Sequence, residues 1–177
     1  MASLDVLLVM ALKEESQGQF EAAGLNPFYC GMGAAQAAHY LTRWIFEHQP
    51  KQIINLGTAG SRLISTGSLV ECTSFIQRVP HSFLPLPSTA IEVKPMTKLK
   101  AVRCGSADFV EPDVPITKCE IFDMESYAMA FVCQRMNVKF NAVKYISDQS
   151  NKNTMQDWKK NLKLSAAELL SCYREII

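Results

Sequence analysis

Apolar residues fall in short unbroken runs along this chain, and these alternate with stretches whose apolar positions recur every three or four residues. DVLLVMAL (5–12), QIINLGTAG (52–60), SLVECTSFI (68–76) and FNAVKYISD (140–148) are runs of the first kind, the pattern of strands buried on both faces. LKAVRCGSADF (99–109) and CEIFDM (119–124) predict two further strands, and NPFYCGMG (26–33) a turn, a strand and a glycine-bearing turn. Runs of the second kind predict helices. EESQGQFEAAG (14–24) reads as one short helix ending at Gly24. AAQAAHYLTRWIFEHQP (34–50) places Ala37, Leu41, Trp44 and Ile45 on one stripe, with Pro50 beyond its end. ESYAMAFVCQRM (125–136) has helical periodicity, and the segment from Thr154 to Ile177 predicts a terminal helix with Trp158, Leu162, Leu169 and Tyr173 near one stripe. Between Arg78 and Pro95 four prolines predict a loop.

Strands alternating with helices predict an α/β fold, a mixed and largely parallel sheet flanked by helices, with residues 1–177 forming one domain. In such sheets ligands bind at the carboxyl ends of strands. Five of those ends carry polar or glycine-rich text: ALKEES (11–16), CGMGAAQ (30–36), LGTAGS (56–61), FDMES (122–126) and YISDQS (145–150).

Composition narrows the partners. A net charge of +1 lacks the basic cluster that nucleic acid or an anionic membrane surface requires. No apolar run reaches the roughly 18 residues of a membrane span, and the N-terminus lacks the basic region of a signal peptide. The six scattered cysteines form no CxxC pair and read as reduced core residues, which predicts a cytoplasmic protein. Cysteines and histidines show no metal-ligand spacing, so no metal is expected.

Each strand end alone has an ordinary structural reading. Gly31 and Gly33 suggest a dinucleotide fingerprint, but Gln36 stands at its third glycine position, so the loop is either a tight turn or a set of backbone N–H donors facing a ligand. Glu14 and Glu15 suit the first turn of a helix, and Asp148 suits an N-cap. The constellation carries more: Glu15, Glu125 and Asp148 end distinct buried strands that a sheet would bring together. Burial splits the proton affinities of such acids and makes an acid–base pair.

ALKEE, CGMGAAQAAH, IINLGTAGS, SADFV, FDMESYAMAFVC and VKYISD, in this order, resemble the purine nucleoside phosphorylase and nucleosidase superfamily, most closely its methylthioadenosine/S-adenosylhomocysteine nucleosidase branch. The resemblance implies an enzyme that hydrolyses the N-glycosidic bond of a purine nucleoside, without cofactor, as a homodimer. It implies that Glu15 holds and deprotonates the attacking water and that Asp148, oriented by Ser147, protonates or hydrogen-bonds N7 of the leaving purine. Met124 would pack on the ribose, Glu125 would accept its hydroxyl protons, Phe109 would stack on the base and Val110 would bond its edge through the backbone. Thr58 and Gly60, from the LGTAGS loop, would line the nucleophile side.

The phosphorylases of this family bring arginines to phosphate from the first loop, where this chain carries acids. That difference favours water, and a phosphorylase or a non-catalytic nucleoside-binding protein are the alternatives. Lys144 replaces the family's arginine, exchanging a planar fork for a point charge. The chain is also short around Glu21–Phe28 and Ile76–Lys100, which leaves the 5′ substituent of the nucleoside open; His81 and Phe83 are candidates for that side.

Overall fold

The computed structural model describes residues 5–78, 90–108 and 119–177. The elements are β1 (Val6–Met10), α1 (Lys13–Ser16), α2 (Gln19–Ala22), β2 (Phe28–Tyr29), α3 (Ala34–His48), β3 (Gln52–Gly60), β4 (Leu69–Gln77), β5 (Ile91–Glu92), β6 (Lys100–Ser106), β7 (Ile121–Asp123), α4 (Ser126–Arg135), β8 (Lys139–Asp148) and α5 (Thr154–Ile176). The strands form one mixed sheet along β2-β1-β3-β7-β6-β4-β5, with β8 bridging β3 in parallel and β4 antiparallel. The pairings β1–β2, β1–β3, β3–β8, β4–β6 and β6–β7 are parallel, so the sheet is mixed and largely parallel as the sequence predicts.

Successive residues of the apolar runs face opposite sides. Leu7, Val9 and Ile53 join a core with α3 and α4, whereas Leu8, Met10, Ile54 and Leu56 join one with α5 and Phe20 of α2. This is why the strand sequences lack polar alternation. The stripe on α3 packs as expected, with Ala37, Leu41 and Ile45 buried and Trp44 against Phe28.

Two local expectations fail. The helix expected over 14–24 is two four-residue helices, because Gln17 and Gly18 both take the left-handed conformation and break it. The loop expected from Arg78 to Pro95 contains β5, which pairs Ile91 and Glu92 with Phe75 and Ser74 of β4. Residues 79–89 of that loop, with His81 and Phe83, lie outside the described residues.

The ladder is irregular at one strand end. Between β3 and β8 the register runs evenly from Gln52↔Lys139 to Ala59↔Ile146, then Gly60 pairs with Asp148 and Ser147 is skipped. This bulge falls where Ser147 and Asp148, consecutive residues, both line the cleft.

Candidate active site

A cleft of about 160 Å³ opens where the ends of β1, β3, β7 and β8 meet the start of α5. Glu15, Thr58, Gly60, Met124, Glu125, Ser147 and Asp148 all line it. Phe109 and Val110 lie outside the described residues.

Glu15 and Ser16 are the buried residues of the short α1 turn, while the neighbouring Glu14 is exposed. Its Oε1 accepts the Thr58 N–H and the Thr58 hydroxyl, both at 2.8 Å, and its Oε2 accepts the Leu12 N–H at 3.2 Å. Gly57 makes this approach possible: a Cβ there would lie 3.1 Å from Glu15 Oε1 and 3.4 Å from Lys144 Nζ. Thr58 thus directs its hydroxyl at Glu15, and that hydroxyl oxygen accepts the Trp158 indole N–H at 2.9 Å.

Asp148 is equally well held. Its Oδ2 accepts the Ser147 hydroxyl at 2.8 Å, and its Oδ1 accepts the Ser150 N–H at 2.8 Å and the Thr154 hydroxyl at 3.0 Å. Gly60 provides the space, since a Cβ on it would stand 2.7 Å from Asp148 Oδ1.

Glu125 is buried, and its carboxyl has a single hydrogen-bond partner among the described residues, the Gly33 N–H at 2.7 Å from Oε1. Burial, reinforced by the charge of nearby Asp123, pushes its carboxyl up to about 8. The next N–H of the glycine turn, on Ala34, is taken by Asp108 at 2.6 Å. These N–H groups of the glycine turn therefore meet the protein's own carboxylates.

Asp123 differs from Glu125 two residues away. Burial pushes its carboxyl up, but Lys144, at 3.0 Å, and the hydroxyls of Ser106 (2.5 Å) and Ser126 outweigh it and hold the group below the usual carboxylate range. Lys144 responds in kind: burial disfavours its charge, but Asp123, Glu125 and Glu15 together raise it above the ordinary lysine value. The sequence singled out Lys144 but gave no sign of its partner Asp123. Nor did it mark Thr154 and Trp158 as site residues, or Met32, Met155 and Arg78 on the walls. No group of three or more metal-ligating side chains occurs among the described residues.

Acceptor capacity distinguishes three of the four acids that line the cleft, Glu15, Glu125 and Asp148. A carboxylate has about four lone-pair positions. Glu15 and Asp148 each have three engaged and about one left, whereas Glu125 has one engaged and about three left.

No family model and no curated protein matches the sequence. Solved structures do match the fold. The apo form of Arabidopsis thaliana 5′-methylthioadenosine nucleosidase superposes with a TM-score of 0.86 at 17% identity, covering 99% of this chain and 95% of that one. A Helicobacter pylori 5′-methylthioadenosine/S-adenosylhomocysteine nucleosidase variant with 5′-methylthioadenosine in its active site gives 0.83 at 18% identity, over 99% and 98% of the two chains. A mutant futalosine hydrolase from the same organism gives 0.83 at 17%, over 98% of each. The α/β architecture of this chain is that of these nucleosidases.

Proposed function

We infer that the protein is a hydrolase of purine nucleosides, cleaving the bond between the ribose and the base with water as nucleophile. The observation that carries this reading is the way the Glu15 carboxylate fills the nest of donors formed by Leu12 N–H and by the N–H and hydroxyl of Thr58. An anionic nucleophile such as phosphate would have to enter beside that carboxylate, whereas a water finds one open acceptor there. This separates the reading from the phosphorylase alternative.

The remaining roles follow from open valences. Glu125, with two largely free oxygens, suits the 2′,3′-diol of a ribose packed on Met124. Asp148, with one, suits a single proton at purine N7, and Ser147 fixes its carboxyl. Bond breaking through an oxocarbenium-like sugar is then assisted at the leaving base by Asp148, at the water by Glu15 and around the cation by the buried carboxylates. Met32, Met155 and Trp158 give the cleft apolar walls that suit an alkylthio or similar 5′ group.

The six cysteines are all buried, in keeping with a reducing cytoplasm and a role in nucleoside catabolism, and no helix among the described residues is long and apolar enough to cross a membrane. A homodimer is part of the same proposal. The test is chromatography of methylthioadenosine, S-adenosylhomocysteine, adenosine and inosine incubated with the protein, with and without phosphate. Free base is expected without phosphate, reduced about 10²–10⁴-fold in Asp148→Asn. Release that requires phosphate, or ligand-induced stabilisation with no release, would replace this reading by one of the two alternatives.

A further inference from the structure

The apolar stripe of α5 has a polar counterpart at its start. Thr154, Trp158 and Asn161, spaced i, i+4 and i+7, share one helical face. Each ends in a hydrogen bond to the catalytic end of the sheet. The Thr154 hydroxyl donates to Asp148 Oδ1 at 3.0 Å, the Trp158 indole N–H to Thr58 Oγ1 at 2.9 Å, and the Asn161 amide to the Ser147 carbonyl at 2.8 Å. One face of one helix therefore touches the supports of both acids, Glu15 and Asp148.

The Trp158 contact has a directional consequence. A threonine hydroxyl has one proton and two acceptor positions, and an indole N–H can only donate. With Trp158 donating to Thr58 Oγ1, the hydroxyl proton of Thr58 turns to its other near partner, Glu15 Oε1 at 2.8 Å. The chain Trp158 → Thr58 → Glu15 is a polarised relay, in which each bond strengthens the next. The half-buried indole also lines the cleft.

We propose that Trp158 is a positioning residue for Glu15, acting through the Thr58 hydroxyl, and that the first two turns of α5 set the geometry of both acids together. The kinetic part of this proposal rests on the nucleosidase reading; the relay itself does not. Phenylalanine at 158 would keep the aromatic wall and lose the donor, leaving the Thr58 hydroxyl free to rotate away from the carboxylate.

The sequence has two tryptophans, Trp44 and Trp158, so an ¹⁵N-indole spectrum holds two N–H signals that Trp158→Phe assigns. Trp44, packed on Phe28 and His48, is the internal control. Glu15→Gln is expected to move the Trp158 signal and leave that of Trp44 in place, and the response should vanish in a Thr58→Val background. In turnover, Trp158→Phe is expected to lower kcat about tenfold, the effect of one hydrogen bond, with KM within about twofold. In Thr58→Val the same replacement should add no further loss. A Trp158 signal blind to Glu15→Gln overturns the relay whether or not any base is released, so its failure is told apart from failure of the nucleosidase reading. An equal loss of kcat with and without the Thr58 hydroxyl would reduce Trp158 to wall packing and overturn the positioning role.

Discussion

Among the described residues four buried carboxylates, Glu15, Glu71, Glu125 and Asp148, have no ion pair, and two of them, Glu71 and Glu125, sit in opposite circumstances. Glu71, fully buried in β4, accepts the N–H groups of Met96 (2.7 Å) and Thr97 (2.9 Å), the Thr97 hydroxyl (2.6 Å) and the Asn141 amide (3.4 Å). Its acceptor positions are all occupied, and it does not line the cleft. Glu125 has one donor and faces the cleft. Burial alone does not distinguish a structural acid from a functional one. Unused acceptor capacity directed at open space separates the two: Glu71 latches the loop after β5, whereas Glu125 keeps about three acceptor positions toward the cleft.

The largest test of this contrast removes the charge that makes the Glu125 neighbourhood tolerable. Lys144→Met would leave Asp123 buried and unpaired, and urea unfolding at neutral pH is expected to show a loss of about 3–5 kcal/mol. A loss near zero would mean that hydroxyl donors alone can hold Asp123, as backbone and side-chain donors hold Glu71. Glu71→Gln comes next. It turns an amide NH₂ against N–H donors and should cost about 1–3 kcal/mol at neutral pH.

The smallest effect depends on pH and has the opposite sign. Because the folded-state carboxyl of Glu125 lies above its unfolded value, its contribution to stability is complete below about pH 4.5 and declines as pH rises to about 8. Glu125→Gln should therefore gain on the unmodified protein by a few degrees in Tm between pH 5 and pH 9. A difference that stays level across this range would show that Glu125 is ionised throughout, like a satisfied acid.

Much of this was readable before any coordinates. Runs such as VLLVM and INLGTAG announced strands buried on both faces, and the acids at their ends pointed to one region, where the structure places Glu15, Glu125 and Asp148. What escaped were relations that exist only once strands and helices are adjacent. Asp123 and Lys144 are 21 residues apart in the chain, and nothing local reveals that β7 and β8 both flank β3. Trp158 was legible as an apolar position on α5, but its N–H belongs to a second pattern, Thr154–Trp158–Asn161, whose polar ends become meaningful only beside Thr58 and Ser147. The break at Gln17 and Gly18 was missed because a left-handed glutamine is not apparent from residue type.

The skipped residue in β8 bears on how such a chain can change. Ser147 and Asp148 both line the cleft where the ladder slips by one between Ala59 and Gly60. Losing Ser147 would restore an even ladder with Asp148 still opposite Gly60, so the acid would keep its side and lose the hydroxyl that orients it, whereas losing a residue from the even stretch before it would shift buried neighbours to the wrong face. In the second case every residue of the site would still be present in the sequence, yet the strand that carries Asp148 would have core residues turned out of place. Single-residue deletions in that even stretch should thus be far less tolerated than the equally buried substitutions around them.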